Sequence, residues 1–452
     1  MVCSQETIHL VRAGAASCSI PLVLVDAADA RVNEVHRLNS QDQTTNESLL
    51  KPADLEDEHA AVLIYTSGTT GRPKGVVWTH NMLTFWARAM EAQWGWTPED
   101  RITNWLPLHH VHGLLNVVTT GLYSGAHVTT QESFSTQTAW KQLLAEKPHQ
   151  PTLFMGVPTM YAYMISHFQS SSSSEQREMR EKAAALRLYV SGSASLPRTY
   201  FREWQNICGQ PILERYGMTE AGMPLSNPLH PANARRKGFV GTPMPGITTR
   251  VVPAESASTS EAASSADATR SARLEVHPLM SKFGASDQHT VETGELRLKG
   301  DGIFHRYWQR EAETLASFDA DGFFRTGDIV ERHSNGWHKV LGRASMDILK
   351  VSGYKVSALE IERELLEHPR VAEIAVFGLA DDVKGNVVAA AIVLRKQVEG
   401  ASKDWREELT VWSQSRLPKY KIPSILVAIE ELPRNALGKV EKHKLSALVQ
   451  QR

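Results

Sequence analysis

The chain of 452 residues is 42% hydrophobic and 22% charged, with a net charge of -1 and a pI of about 7.0. That length exceeds one ordinary core, so two or more domains are expected, and the balanced charge excludes a global field for nucleic acid or an anionic membrane. Cys3, Cys18 and Cys208 lack disulfide or metal spacing, no apolar run reaches a membrane span, and the N-terminus lacks the order of a signal peptide. A soluble intracellular enzyme is expected.

In chain order, residues 26–58 are polar and acidic-leaning, which predicts a linker. The run AAVLIY (60–65) predicts a buried strand, and a helix is expected from about His80. Strands in RITNWLP, AHVTT, PTLFMGV and ALRLYVSGS, with a helix near 111–123, predict an α/β domain with a largely parallel core sheet. QSSSSSEQREMREK predicts an exposed loop leading into a charged helix start. Residues 255–272 are an Ala/Ser/Thr run that buries too little apolar surface to offset ordering entropy, so a disordered insertion between two strands is expected. Beyond Gly342 the texture changes. VSALEIERELLEH and SKDWREELTVWSQSRL read as helices, VAEIAVFGL and VVAAAIVLR as strands, together a compact α+β unit. The expected domains are 1–341 and 342–452, a large layered α/β domain followed by a smaller mobile α+β one.

Five segments carry candidate chemistry. YTSGTTGRPKG (65–75) combines glycines that let backbone amides form an anion nest with hydroxyls and Lys74, although a solvated Gly/Thr turn is the plain alternative. It is not a Walker loop, because Gly75 follows Lys74. In ERYGMTE (214–220), Tyr216 suits stacking on a base, Thr219 a phosphate and Glu220 a Mg²⁺; the alternative is a helix start. In RTGDI (325–329), Asp328 after a glycine turn suits ribose hydroxyls, or forms an Asx turn. GRASMDILKVSGYKVSALEIE (342–362) opens with an arginine at the expected boundary, and PRNALGKVEKHKL (433–445) offers Lys439 on a glycine turn, where a solvated lysine is the alternative.

The order of these segments, together with LPLHHVHG (106–113), resembles the adenylate-forming superfamily that includes acyl-CoA synthetases. The resemblance runs from about Ala60 to Leu448. It implies an ATP-dependent, AMP-forming acid–thiol ligase that uses ATP, Mg²⁺ and coenzyme A. Thr66, Ser67, Gly68, Thr69, Thr70, Gly71 and Lys74 would cradle the ATP phosphates. Tyr216 and Gly217 would meet adenine, Thr219 the α-phosphate, Glu220 the Mg²⁺, and Asp328 and Arg343 the ribose. Lys439 would bridge acid and nucleotide in the first half-reaction. Rotation of the smaller domain would then bring Lys350, Gly353 and Tyr354 to line a CoA tunnel. The hinge position matches Ser345, with Met346 or Asp347 as alternatives. Only 64 residues precede Tyr65, so the resemblance also implies that part of the N-terminal subdomain is absent.

Arg215, just before the adenine-stacking tyrosine, suggests a second carboxylate on the acid, since a guanidinium grips such a group bidentately. LPLHHVHG, VSGSASLP (190–197), LERYGMTE and GYKVSALEIE look like malonyl-CoA synthetases in particular, within which Arg215 and His110 would form the malonate site. Malonate, or methylmalonate, is the acid this implies. For Arg215 the alternative is a surface salt bridge with Glu214; for His109, His110 and His112 it is a zinc site. A short or medium monocarboxylate ligase and an inactive nucleotide-binding paralogue remain the other readings. The compartment expected is mitochondrial or cytoplasmic, with no nucleic acid, no transmembrane segment and no indication of oligomeric state.

Overall fold

The computed structural model describes residues 2–3, 22–25, 32–36, 59–66, 73–253, 291–381, 385–395, 404–434 and 440–450. Residues 1–56 and 57–452 are two units, taken separately. In the first, strands Val2–Cys3 and Leu22–Val25 pair parallel, and Leu22–Val25 pairs antiparallel with Val32–His36. The stretch expected as a linker at 26–58 therefore holds a strand.

The second unit starts with a hairpin of Ala60–Thr66 and Lys74–Thr79, to which Arg306–Tyr307 adds a third strand. Helix His80–Trp94 begins where Thr79 Oγ1 accepts from Met82 N at 3.3 Å, and it ends on Gly95 at φ +61°. Its apolar positions Met82, Trp86, Met90 and Trp94 recur every four residues and are buried. Trp86 Nε1 donates to Gly302 O at 2.8 Å, and Trp94 Nε1 to Ser226 Oγ at 2.9 Å, so both indoles are satisfied in the core.

The central sheet has the order Thr242–Pro243, Gly222–Ser226, Leu213–Met218, Leu188–Ser191, Leu153–Gly156. Leu153–Gly156 and Leu188–Ser191 are buried along their whole length, as strands covered on both faces must be. Only the last three strands run parallel. The chain reverses at residues 219–221, so Gly222–Ser226 returns antiparallel and the expected largely parallel sheet is mixed. ERYGMTE is accordingly a strand and turn, not a helix start. The serine run caps a full helix, Ser173–Ala184: Ser172 and Glu175 exchange side-chain and backbone bonds as a capping box. A four-stranded antiparallel sheet, Thr248–Val252, Val291–Lys299, Phe324–His333 and His338–Arg343, follows. The insertion expected at 255–272 lies outside the described residues.

The C-terminal elements have cores of their own. Strands Ile348–Val351, Tyr354–Ser357, Val371–Asp381, Gly385–Leu394 and Ile425–Ala428 form one sheet. Helices Ala358–Leu365 and Trp405–Gln414 supply Ile361, Leu365 and Leu409 to a core with Val356, Val376 and Ile392. Leu445 of helix Lys442–Gln450 packs in a second cluster with Phe377 and Leu379. The fold is α/β, with open sheets covered by helices. Among the described residues no helix is long and apolar enough to cross a membrane.

Candidate active site

Tyr65 lies opposite Gly75 and Thr66 opposite Lys74, so residues 67–73 join the two strands of a hairpin. At its neck Thr66 Oγ1 donates to Lys74 O at 3.5 Å. The Lys74 ammonium stands 4.7 Å from the ring centroid of Tyr307, close enough for a cation–π contact. Tyr307 O–H in turn donates to Glu220 Oε1 at 2.9 Å. Buried Trp78, on the same strand as Lys74, donates Nε1 to the Thr219 carbonyl at 2.9 Å. Lys74 and the adjacent pair Thr219–Glu220, far apart in sequence, are thus gathered by two aromatic side chains. Burial pushes the Glu220 carboxyl above its ordinary range, against the Tyr307 hydrogen bond, and raises the Tyr307 phenol, which stays a donor.

A second cluster lies on the same strand–turn segment. Tyr216 O–H donates to Asp328 Oδ2 at 2.5 Å, and Arg343 Nε pairs with Asp328 Oδ1 at 3.0 Å across adjacent strands. Arg343 Nη1 also donates to Thr326 O at 2.6 Å. Burial, then the Asp328 charge, holds the Tyr216 phenol well above its ordinary value. Gly217 is required by close approach: a Cβ there would lie 2.3 Å from Gly222 O.

The third cluster surrounds Arg215. It is 4% exposed, and its Nε and Nη2 have no hydrogen-bond partner among the described residues. Burial alone pulls its guanidinium down to about 9, with no neighbouring carboxylate contributing. The surface salt bridge with Glu214 is not formed. Glu214 faces the other way on the strand, accepts from Gly238 N at 2.7 Å, and is pushed up to about 7 by burial. The guanidinium lies against Gly192, where a Cβ would stand 2.4 Å from Arg215 Cζ. His112, buried on a π-helix His112–Thr119, approaches Ser193 Oγ through Nδ1 at 3.3 Å, while its Nε2 has no partner. Burial, then the Arg215 and His110 charges, holds its imidazole well below the ordinary value, so it is neutral. On the same π-helix the fully buried Asn116 leaves both side-chain polar atoms unpartnered. Unsatisfied buried polar groups of this kind are uncommon in a finished core, where such atoms ordinarily have a protein or water partner. His110 is half-buried at the helix entrance, its ring 4.6 Å from that of His109. Among the described residues no group of three His, Cys, Asp or Glu forms a metal-type cluster.

Among the C-terminal elements, Ser352 and Gly353 form the two-residue turn between Ile348–Val351 and Tyr354–Ser357, both at positive φ (48° and 86°). Nothing lies within 4 Å of a Cβ added at Gly353, so here the turn conformation demands glycine. Tyr354 is exposed and stacks on Tyr420 at 4.5 Å; Lys350 is exposed beside it. Ser345 is exposed. Asp347, the other hinge candidate, is held fast: Oδ2 accepts from Arg343 N at 3.0 Å and Oδ1 pairs with Lys442 Nζ at 2.6 Å. Ser67, Gly68, Thr69, Thr70, Gly71 and Lys439 lie outside the described residues. Tyr307, Trp78 and Asn116 escaped the sequence reading, because each acts through residues remote in the chain and none stands in a motif that announces it; Ser193 lies within the VSGSASLP segment, which did not single it out.

The family model described as AMP-binding enzyme matches residues 2–264, more than half of the chain, and that of the AMP-binding enzyme C-terminal domain matches residues 360–439. The chain belongs to the AMP-binding enzyme family. It is 40% identical over 398 residues to the mitochondrial malonate–CoA ligase ACSF3 of Bos taurus, covering 86% of this chain and 64% of that protein. It is 37% identical over 457 residues to the probable CoA ligase CCL8 of Humulus lupulus, covering 98% of this chain and 70% of that one. The crystal structure of ATP-bound MatB from Rhodopseudomonas palustris superposes with a TM-score of 0.76 at 28% identity, covering 99% of this chain and 78% of that chain. This AMP-binding enzyme spans slightly under two thirds of the length of the ACSF3 ligases, 64% of the bovine and 65% of the human protein.

Proposed function

We propose that this chain is an ATP-dependent, AMP-forming acid–CoA ligase whose acid is malonate, with methylmalonate accepted. The observation that carries the acid is Arg215: a buried guanidinium with two unpartnered donors and no carboxylate beside it. A dicarboxylate supplies what is missing, since its distal carboxylate accepts from Nε and Nη2 together. A monocarboxylate leaves the cation buried and unpaired, which is strongly unfavourable. Neutral His112 and Asn116, with His110 at the entrance, offer further donors. Relatives named malonate–CoA ligase support the reading, as does a malonyl-CoA ligase solved with methylmalonyl-CoA and AMP, 30% identical with a TM-score of 0.56.

In the first half-reaction the proximal carboxylate attacks the α-phosphate and pyrophosphate leaves, so two anions must be held in line. Lys74, with Thr66, Ser67, Gly68, Thr69, Thr70 and Gly71, binds the departing phosphates; Thr219 and Lys439 hold the α-phosphate. Tyr216, its ring fixed through its hydroxyl by Asp328, stacks on adenine beside Gly217, and Asp328 with Arg343 holds the ribose. A Mg²⁺ fits the buried Glu220, whose Oε1 is oriented by Tyr307 next to the phosphate lysine, because this ion takes one or two carboxylates plus phosphate oxygens. Bound there, the ion would neutralise charge on the phosphates. In the second half-reaction the CoA thiol displaces AMP; the unit 342–452 turns on Ser345 relative to 1–341 and brings Lys350, Gly353 and Tyr354 to the pantetheine. The compartment proposed is mitochondrial, as the ACSF3 relatives are named, or cytoplasmic. Pyrophosphate exchange into ATP with a panel of acids tests the reading: exchange should depend on malonate. Exchange driven by butyrate or octanoate and not by malonate would overturn it.

A further inference from the structure

The wall of the acid pocket is a short loop held from two sides. Residues 191–197 leave the central sheet at Ser191, and Gly192 packs on the Arg215 guanidinium. Ser193 faces His112 at 3.3 Å while its own backbone takes φ +66°, a left-handed conformation uncommon for a residue with a side chain. Such a conformation persists only where surrounding contacts over-determine it. One set comes from the pocket. The other comes from helix Ala358–Leu365 of the C-terminal unit, whose Arg363 is 7% exposed. Arg363 Nε donates to Ser195 Oγ at 3.0 Å, and Nη2 to Val340 O at 2.8 Å. Two ion pairs flank the contact, Arg198–Glu364 at 3.0 Å and Arg202–Glu367 at 3.1 Å, and Arg198 opens the helix that follows the loop.

We propose that Arg363 is a positioning residue for the acid pocket: bonded to Ser195, it holds loop 191–197 in the form that sets Gly192 on Arg215 and Ser193 on His112. Docking of helix Ala358–Leu365 and capture of the distal carboxylate then reinforce each other, because two events that stabilise the same loop form must favour each other equally. The acid is held firmly while the C-terminal unit is docked as seen here, and loosens when that helix leaves. This rests on the malonate reading for the identity of the acid, but not for the coupling.

The test uses the full chain with Arg363→Met, which keeps a long apolar stem and removes both bonds, and Ser195→Ala, which removes only the acceptor. Deuterium uptake of peptides spanning residues 190–197 should quicken in both variants without ligand, with uptake in strand 153–156 unchanged. The KM for malonate should rise roughly tenfold, the lower range for one charge-assisted hydrogen bond, while AMP affinity by calorimetry stays level. Unchanged uptake at 190–197 overturns the proposal, whichever acid the enzyme uses. If uptake quickens but the parent enzyme ignores malonate, the acid assignment fails and the coupling stands. Should Arg363→Met fail to fold, Ser195→Ala carries the same test alone.

Discussion

Replacing Arg215 with methionine separates stability from activity, because the two should move in opposite directions. The guanidinium is 4% exposed, with Nε and Nη2 unpartnered. In the malonate reading each would make a charge-assisted bond to the distal carboxylate worth about 1.5–3 kcal/mol, and leaving that carboxylate unpaired would cost about 3–5 kcal/mol. The kcat/KM for malonate should therefore fall roughly a hundred- to several-thousand-fold, while acetate or butyrate is used as well as before or better. Stability runs the other way. Burial pulls this group down to about 9, so its charged form is disfavoured in the folded state at every pH below about 9, and the penalty fades only as pH climbs above that value toward the ordinary arginine range. At pH 7–8 the penalty is whole, on the order of a few kcal/mol, and Arg215→Met should raise the acid-free Tm. Thermal melts and kcat/KM for malonate, methylmalonate, acetate and butyrate on both proteins settle the matter. An unchanged ranking of acids, or a Tm that falls, would refute the reasoning.

Lys439→Ala should abolish acyl-adenylate formation and largely spare thioester formation from preformed acyl-adenylate; equal loss in both half-reactions contradicts the alternation of domains. Tyr307→Phe keeps the ring over Lys74 but removes the donor to Glu220, a bond to a charged group worth about 1.5–3 kcal/mol. The Mg²⁺ concentration for half-maximal exchange should rise roughly tenfold or more, with AMP affinity unaltered; an unmoved Mg²⁺ requirement shows that Glu220 needs no such support. Glu214, raised by burial from 4.5 to about 7, binds more protons folded than unfolded between those values, so its contribution falls as pH rises through that window and its penalty is full above pH 7. Glu214→Gln should thus gain about 2–3 kcal/mol at pH 8 and almost nothing at pH 4.5, read from denaturant melts; a gain equal at both values refutes the assignment. Deleting residues 255–272 should shift Tm and turnover little, and a collapse in stability would show that the segment packs.

The residues proposed for the nucleotide were named from short local runs of sequence. The apolar stretch before Tyr65 read as a buried strand feeding a loop; it is a strand, though only Ile64 in it is buried, and the return strand from Lys74 was not read, while Asp328 and Arg343 stood in separate motifs that register Asp328↔Arg343 brings together. Arg215 was legible from its place just before Tyr216 and from the segments that resemble malonyl-CoA synthetases. Its burial was not, because that depends on Gly192 and the π-helix closing over it. Tyr307 and Trp78 gave no signal, since an aromatic residue in an apolar run looks like core until its polar tip is seen to reach Glu220 or Thr219. The reversal of the sheet at residues 219–221 was hidden for a related reason. Strand periodicity carries no direction, and only the close approach of Gly217 to Gly222 reveals the turn. In the serine run, composition suggested a loop, but Ser172 and Glu175 three residues apart make a capping box that starts a helix.

A competition experiment puts the central claim, that a buried arginine selects a second carboxylate, to its most direct test. The enzyme is incubated with ATP, Mg²⁺, CoA and equimolar malonate, methylmalonate, acetate and butyrate, and the thioesters and nucleotides are separated by mass. Selection by Arg215 predicts malonyl-CoA in excess, methylmalonyl-CoA second, and one AMP for each thioester. Acetyl-CoA or butyryl-CoA as the main product, or ADP in place of AMP, would contradict it.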